Sequence, residues 1–282
     1  MTSFDNPWLT LVLNGMKAGA AEVGDVELQF EDAHLDVSAQ LNQVQNFIAS
    51  KVDAIIVNPV DGDSTPAITK LVTEAGIPLV YVNHPPSDLN DLKGKSTFVG
   101  SNEKESGTIE TEAICKLLGG KGKAVVIMGP LENEATRERT ADVHEVLSRP
   151  ECKGIEVVEE QTANWVRSQA QDLMSNWLTA GIEFNAVISN NDEMAIGAVQ
   201  AMKVAGLDMK KIVVGGIDAT PDGLAAMAAG DIDVTVFQDA GRQGAGAVKA
   251  AVDMASGKDV PNQIWIPFEL VTPENMANYQ KK

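Results

Sequence analysis

Short β-branched runs alternate with amphipathic stretches along this 282-residue chain, and that alternation leaves few folds open. Val26–Phe30, Ala54–Asn58, Pro78–Val82, Ala124–Met128, Ile155–Glu159, Ala186–Ser189, Ile212–Ile217 and Val234–Phe237 read as strands. Between them, Ser38–Ser50, Ser64–Ala75, Lys104–Leu118, Ala135–Leu147, Arg167–Thr179, Glu193–Ala205 and Pro221–Ala229 carry apolar residues at three- and four-residue spacing. A run such as Ala54-Ile55-Ile56-Val57 is apolar on both faces, which suits a parallel strand covered by helices above and below. This pace of alternation builds βαβ units and a doubly wound α/β fold.

So many alternating elements exceed one compact sheet, so two lobes are expected. The chain should cross between them near Val99-Gly100-Ser101-Asn102. It should cross again after Phe237-Gln238-Asp239, where a Gly/Ala-rich helix Ala240–Ala255 starts, and a third time along the Pro-bounded stretch Gln263–Phe268. The N-terminal lobe is then residues 1–100 with 240–265, and the C-terminal lobe 101–239 with 266–282. Three crossings make a hinge, with a ligand cleft between two parallel-sheet lobes.

Charge narrows the partners. Lys plus Arg is 22 against 40 for Asp plus Glu, a net charge of −18. That excess repels phosphate backbones and anionic lipid, so nucleic acid and membrane surfaces are poor candidates for partners. No run approaches the ~18–20 apolar residues of a membrane span. Cys115 and Cys152 make at most one disulfide, and with 3 scattered histidines no metal site or other cofactor is expected. No Gly-x-Ser-x-Gly elbow, P-loop or His-Glu-x-x-His is present, and Gly241–Gly246 lies inside a helical stretch, so the chain does not read as an enzyme.

In open α/β sheets, ligands bind outside the carboxyl ends of the strands. The residues there are Asp5-Asn6-Pro7-Trp8, Asn58 with Asp61, Asn83-His84, Asn190-Asn191-Asp192, Asp218 and Gln238-Asp239. A lone Asn or Asp at such a place is commonly a turn or cap, and Asp192 and Ser64 are read so. The recurrence of carboxamides and carboxylates at successive strand ends favours a polar, hydroxyl-rich ligand. Trp8 and the loop residue Trp165 offer flat apolar faces for the C–H face of a ring, whereas Trp177 and Trp265 fit local periodicity and read as packing. Of Arg137 and Arg139, one can fork onto ligand hydroxyls and the other pair with a glutamate. His84, beside Asn83, reads as a ligand contact rather than a base.

Five motifs carry a resemblance: Asp5-Asn6-Pro7-Trp8, Val57-Asn58-Pro59-Val60-Asp61, Val99–Gly107, Asn190–Ala198 and Gly216-Ile217-Asp218-Ala219-Thr220-Pro221. In these the chain resembles the periplasmic sugar-binding proteins of ABC transporters, in the ribose-binding and galactose/glucose-binding branch, over essentially its whole length. The resemblance implies the type I periplasmic binding protein fold, with the three crossings as its hinge strands. It makes Trp8 and Trp165 the aromatic plates. Asn6, Asn83 and His84 become polar contacts from the first lobe, Arg139, Asn191 and Asp218 from the second, and Gln238 a contact at the hinge. It also implies a periplasmic or lipid-anchored extracellular monomer that closes on its ligand and docks on a membrane permease, with a chemoreceptor as a further partner.

Departures from the family pattern shape the ligand expected. Ribose binders carry Asp-Arg where this chain has Asn83-His84, and the galactose/glucose branch has His and Asp where Asn133 and Ala135 align. The calcium loop of that branch has no counterpart in Leu117–Ala124. These changes suit a neutral ring without an anomeric preference. A cyclitol such as myo-inositol comes first, then another hexose, a pentose or a sugar alcohol. Met1-Thr2-Ser3 reads as the last part of a first strand, so either the sequence is shorter than the natural product or that strand is short, and no signal peptide is visible in it. A regulator of the lactose-repressor type, whose effector domain shares the fold, is the alternative. It needs an amino-terminal helix-turn-helix.

Overall fold

Each apolar run that finds a neighbour becomes a strand, and the helices between turn one apolar stripe toward it. The computed structural model describes residues 1–280. They cluster into two units, Met1–Ser101 with Asp239–Pro267, and Asn102–Gln238 with Phe268 onward.

The first unit contains α1 (Pro7–Val23), α2 (Val37–Ala49), β1 (Ile55–Val57), α3 (Thr65–Glu74), β2 (Leu79–Val82) and β3 (Ser96–Gly100). Its remaining elements, α9 (Ala240–Ala255) and β9 (Gln263–Trp265), come from late in the chain. The sheet runs β1-β2-β3-β9, all parallel, with Ile55 opposite Leu79, Val80 opposite Thr97 and Val99 opposite Ile264. Alternation along β2 sends Val80 and Val82 to one face, against Leu9, Val12 and Met16 of α1 and Val248, Ala251 and Met254 of α9. Leu79 and Tyr81 go to the other face, against Val44 of α2 and Ile68 and Val72 of α3.

The second unit contains α4 (Glu103–Leu118), β4 (Lys121–Met128), α5 (Glu134–Ser148), β5 (Gly154–Thr162), α6 (Arg167–Thr179) and β6 (Ala186–Ser189). It continues through α7 (Asp192–Val204), β7 (Val213–Val214), α8 (Pro221–Ala228), β8 (Thr235–Phe237) and β10 (Glu269–Val271). Its sheet runs β5-β4-β6-β7, all parallel, and bridges Gly215–Val234 and Asp218–Phe237 set the β8 chain beside the β7 chain. β10 closes antiparallel on β8. α4 and α5 cover one face through Ile114, Val143 and Val146. α6, α7 and α8 cover the other through Leu173, Met174, Trp177, Met194, Met202 and Leu224. A disulfide joins Cys115 near the end of α4 to Cys152 after α5, with Cα atoms 5.7 Å apart.

Two readings need correction. Val26–Phe30 is not a strand: it is extended, but among the described residues it joins no ladder, and β1 bonds only to β2. A strand exists only where a neighbouring backbone accepts its ladder. Here the side that would pair borders a cavity of about 790 Å³, lined by Val26–Glu31, Ala54–Val57, Val248 and Ala251. Trp265 is not core packing either. It is 45% exposed and meets Phe98 edge-on, ring centroids 5.5 Å apart, because β9 is the outer strand of its sheet.

Candidate functional site

In both units most of the residues singled out lie at strand ends or in the first turns of a helix. In the first unit, Asn6 caps α1, its Oδ1 accepting from Leu9 N at 3.0 Å. Trp8, in the first turn of α1, is buried in the α1–α9 cluster, and its indole N–H has no hydrogen-bond partner among the described residues. Asn58, fully buried after β1, donates from Nδ2 to Val82 O and to Asn83 Oδ1, both at 3.3 Å. Thr2 donates its hydroxyl to Asn58 Oδ1. Asn83, just past β2, stands at φ 67° and is buried. His84 Nδ1 lies 2.9 Å from Pro59 O, which orients the ring. The structure thus links Asn83 to Asn58, a residue read as only one of a series.

The second unit gathers more. β4 lies between β5 and β6, so the chain leaves it in opposite directions, which is the switch point where doubly wound sheets place ligands. Asn190, fully buried just beyond β6, sits at that point. Its Oδ1 accepts from Gly129 N and from Thr140 Oγ1, both at 3.3 Å, and its Nδ2 is buried without a partner. Asn191 caps α7, with Oδ1 accepting from Met194 N at 3.0 Å. Arg139, on α5, is 4% exposed and donates from Nη1 to Asn190 O at 2.7 Å and from Nε to Glu103 Oε2 at 3.0 Å. Its guanidinium carbon lies 5.7 Å from the centroid of the Trp165 ring. Arg137, the alternative, is spent on Leu131 O and Glu132 O at the helix start.

Two glycines make this geometry possible. A Cβ on Gly129 would stand 2.3 Å from Trp165 Cζ2, so only glycine leaves the ring its seat. A Cβ on Gly107 would stand 2.4 Å from Arg139 O. Gly107 therefore lets α4 approach α5 closely, and Glu103, one turn earlier on the same face, reaches Arg139.

Asp218 occupies the turn between β7 and α8 at φ 115°, buried to 6% exposure. Its backbone pairs with the β8 chain through Asp218 N to Val236 O at 2.8 Å, and Gln238 N donates back to Asp218 O at 3.4 Å. Among the described residues nothing donates a hydrogen bond to its carboxylate. Gln238 beside it is 2% exposed, with Nε2 unpartnered. Burial raises the Asp218 carboxyl well above the usual range; Arg139 opposes this, while Asp192, Glu103 and Glu193 add to it. Burial lowers Arg139, but Glu103 and Asp218 more than restore it, so it stays charged.

Asp192 is not a helix cap: that role falls to Asn191. Asp192 is fully buried, accepting from Thr220 N at 2.8 Å and Thr235 Oγ1 at 2.7 Å, and so ties α8 and β8 to α7 beneath Asp218. Ser64 precedes α3 without a side-chain capping bond. Glu103, Glu110 and Asn58 did not stand out as site residues. Glu103 and Glu110 belong to a Glu/Lys-rich helix; the signal that could have found Glu103 is the glycine one turn after it.

Comparison with known proteins agrees with this architecture. Residues 1–259 match the family model described as a periplasmic binding protein domain. The chain is 59% identical over 282 residues to the "Putative rhizopine-binding protein" of Rhizobium meliloti, covering all of this chain and 91% of that one. An ABC transporter solute-binding protein of Bacillus halodurans, solved with bound myo-inositol, superposes with a TM-score of 0.92 at 43% identity, over 99% of this chain and 95% of that one. The myo-inositol-binding protein of Caulobacter, also solved with myo-inositol, gives a TM-score of 0.89 at 27% identity, over 98% and 93%. Two parallel-sheet units built from discontinuous segments are thus a fold shared with sugar-binding components of ABC importers, and the chain belongs to the periplasmic binding protein domain family.

Proposed function

We propose that this protein captures a cyclitol, with myo-inositol as the representative ligand, and delivers it to the permease of an ABC importer. The family consists of solute-binding proteins, not enzymes, and its description supports a periplasmic location for this chain. The observation that carries the ligand reading is the pair of buried polar groups left unmatched at strand ends, Asn190 Nδ2 and Gln238 Nε2, with the buried Asp218 carboxyl on the turn next to Gln238. Burying such groups unpaired costs about 1–3 kcal/mol each, so a ring with several hydroxyls recovers what the empty protein forgoes. Trp8 and Trp165 would cover the ring faces, and Asn6, Asn83, His84, Arg139, Asn191 and Gln238 would read its edge. Relatives support a polyol: two of the matched structures hold myo-inositol. The protein would act as a monomer, with a chemoreceptor as a second reader of the loaded form.

Closure would follow from contacts that two lobes make only together, with the three chain crossings as hinge. Small-angle scattering should then show a smaller radius of gyration with saturating ligand. A competition titration with myo-inositol, glucose, galactose, ribose and an inositol phosphate tests the specificity. Myo-inositol should bind at micromolar or lower concentration. The phosphate, bringing negative charge toward Asp218 with Arg139 already matched by Glu103, should not bind. A preference for ribose or for the phosphate would sink this reading, and a preference for glucose would replace the cyclitol with a hexose.

A further inference from the structure

The two ends of a carboxamide are alike in shape and opposite in hydrogen bonding, so the partners of one end decide what the other offers. In the first unit those partners fix the answer. Asn58, fully buried after β1, accepts at Oδ1 from Thr2 N at 3.2 Å, and a backbone N–H can only donate. The Thr2 hydroxyl joins it at the same oxygen. Asn58 Nδ2 donates to Val82 O at 3.3 Å, and a backbone carbonyl can only accept. Gln40, from α2, clamps the chain around it: Nε2 donates to Asn58 O at 2.9 Å and Oε1 accepts from Val60 N at 3.0 Å. The second Asn58 amide hydrogen goes to Asn83, whose Oδ1 accepts it at 3.3 Å. Turning the Asn83 amide over would set its NH2 against that of Asn58, donor against donor. The Asn83 backbone is held as well, its N–H donating to Val99 O at 2.9 Å. Asn83 Nδ2 then meets no acceptor among the described residues, yet it is not sealed from solvent as Asn190 Nδ2 and Gln238 Nε2 are.

We propose that Asn58 is a positioning residue that locks the Asn83 carboxamide with its amine end outward. At this strand end the protein then offers a hydrogen-bond donor and requires a lone pair from whatever binds. The inference rests on the reading of Asn83 as a ligand contact, and adds the direction of that contact. Asn58 does not touch the ligand. Its side chain already makes the four hydrogen bonds open to a carboxamide, every one of them to protein. Its part is to carry a polarity set by two main-chain groups, Thr2 N and Val82 O, through to Asn83. Packing alone would need only the shape of Asn58, which an aspartate shares.

Hydrogen exchange of side-chain amides, followed by NMR on the intact protein with isotope-labelled asparagine, tests this. The Asn83 signal is identified by its loss in Asn83→Asp. In the ligand-free wild type the Asn58 NH2 should be protected, and the Asn83 NH2 should exchange at least tenfold faster. Asn58→Asp, at mildly alkaline pH, keeps the shape but has no hydrogen to give. Asn83 should then turn over and donate inward to the new carboxylate. Its NH2 should become protected by at least tenfold, and the affinity for myo-inositol, measured by calorimetry, should fall at least tenfold. A purely structural role for Asn58 would leave the Asn83 exchange rate as it is in the wild type, and that result would overturn the proposal. So would an Asn83 NH2 already protected in the ligand-free wild type, a measurement that needs no variant to fold. Inverted exchange with undiminished affinity for myo-inositol would overturn the claim that the exposed amine reads the ligand. If the wild type bound no myo-inositol while the exchange pattern held, the cyclitol reading would fail and the orientation of Asn83 would stand.

Discussion

Arg139→Ala is expected to cost the second unit roughly 3–5 kcal/mol of stability, the range for breaking a buried ion pair by removing one partner. Glu103 would be left buried without its partner, and Asn190 O would lose the 2.7 Å donor that holds it. Trp165 would lose the cation on its ring, so ligand binding should disappear together with the stability. Arg139→Lys should rescue little, because one ammonium cannot serve Glu103 and Asn190 O in the planar, forked arrangement a guanidinium allows. Replacing Arg139 and Glu103 together by methionine should return most of the stability and none of the binding. Urea denaturation followed by circular dichroism measures the first effect and titration the second. A native midpoint for Arg139→Ala would show that the pair is solvated and not the buried contact described.

The second large effect is with pH. Burial pushes Asp192 up to about 7 despite its bonds from Thr235 and Thr220, against 3.8 for a free aspartate. Between those values the unfolded chain has lost the proton and the folded chain keeps it. The unfolding free energy therefore falls as pH rises through this window, by at most about 1.4 kcal/mol per unit, or roughly 4 kcal/mol from Asp192 alone. Asp142, raised to about 6 chiefly by burial, adds in the same direction. Stability should thus be greatest near pH 4–5 and decline toward 7, and Asp192→Asn should flatten the slope. Thermal melts at half-unit steps check this; stability constant or rising across the window would refute it.

Much of this was legible because the signals are local. α6 at Arg167–Thr179 and α9 at Ala240–Ala255 announce themselves by apolar spacing within one segment. So does the all-apolar core of β1, since a strand buried on both faces needs no polar alternation. What failed to show depends on partners distant in sequence. Val26–Phe30 has the composition of a strand, but pairing is decided by another backbone. Asp192 looks like a cap because caps are judged from the three residues that follow, while its real partners Thr220 and Thr235 lie 28 and 43 residues away. Glu103 looks solvated because its neighbours Lys104 and Glu105 are exposed; only the approach of α5 over Gly107 buries it.

Three of the ligand-facing candidates stand on unusual backbone: Asn83 at φ 67°, Trp165 at 64° and Asp218 at 115°. For a side chain with a Cβ such conformations are sparsely populated and cost of order 1–3 kcal/mol each, sustained by the surrounding fold. That commitment constrains how specificity can be redesigned. β-branched replacements at 83, 165 and 218 would be resisted by the main chain before any ligand arrives, and libraries built there would return mostly misfolded members. His84, next to but outside the left-handed position, carries no such restriction. New selectivity is cheaper to evolve there, around a recognition frame whose backbone stays fixed.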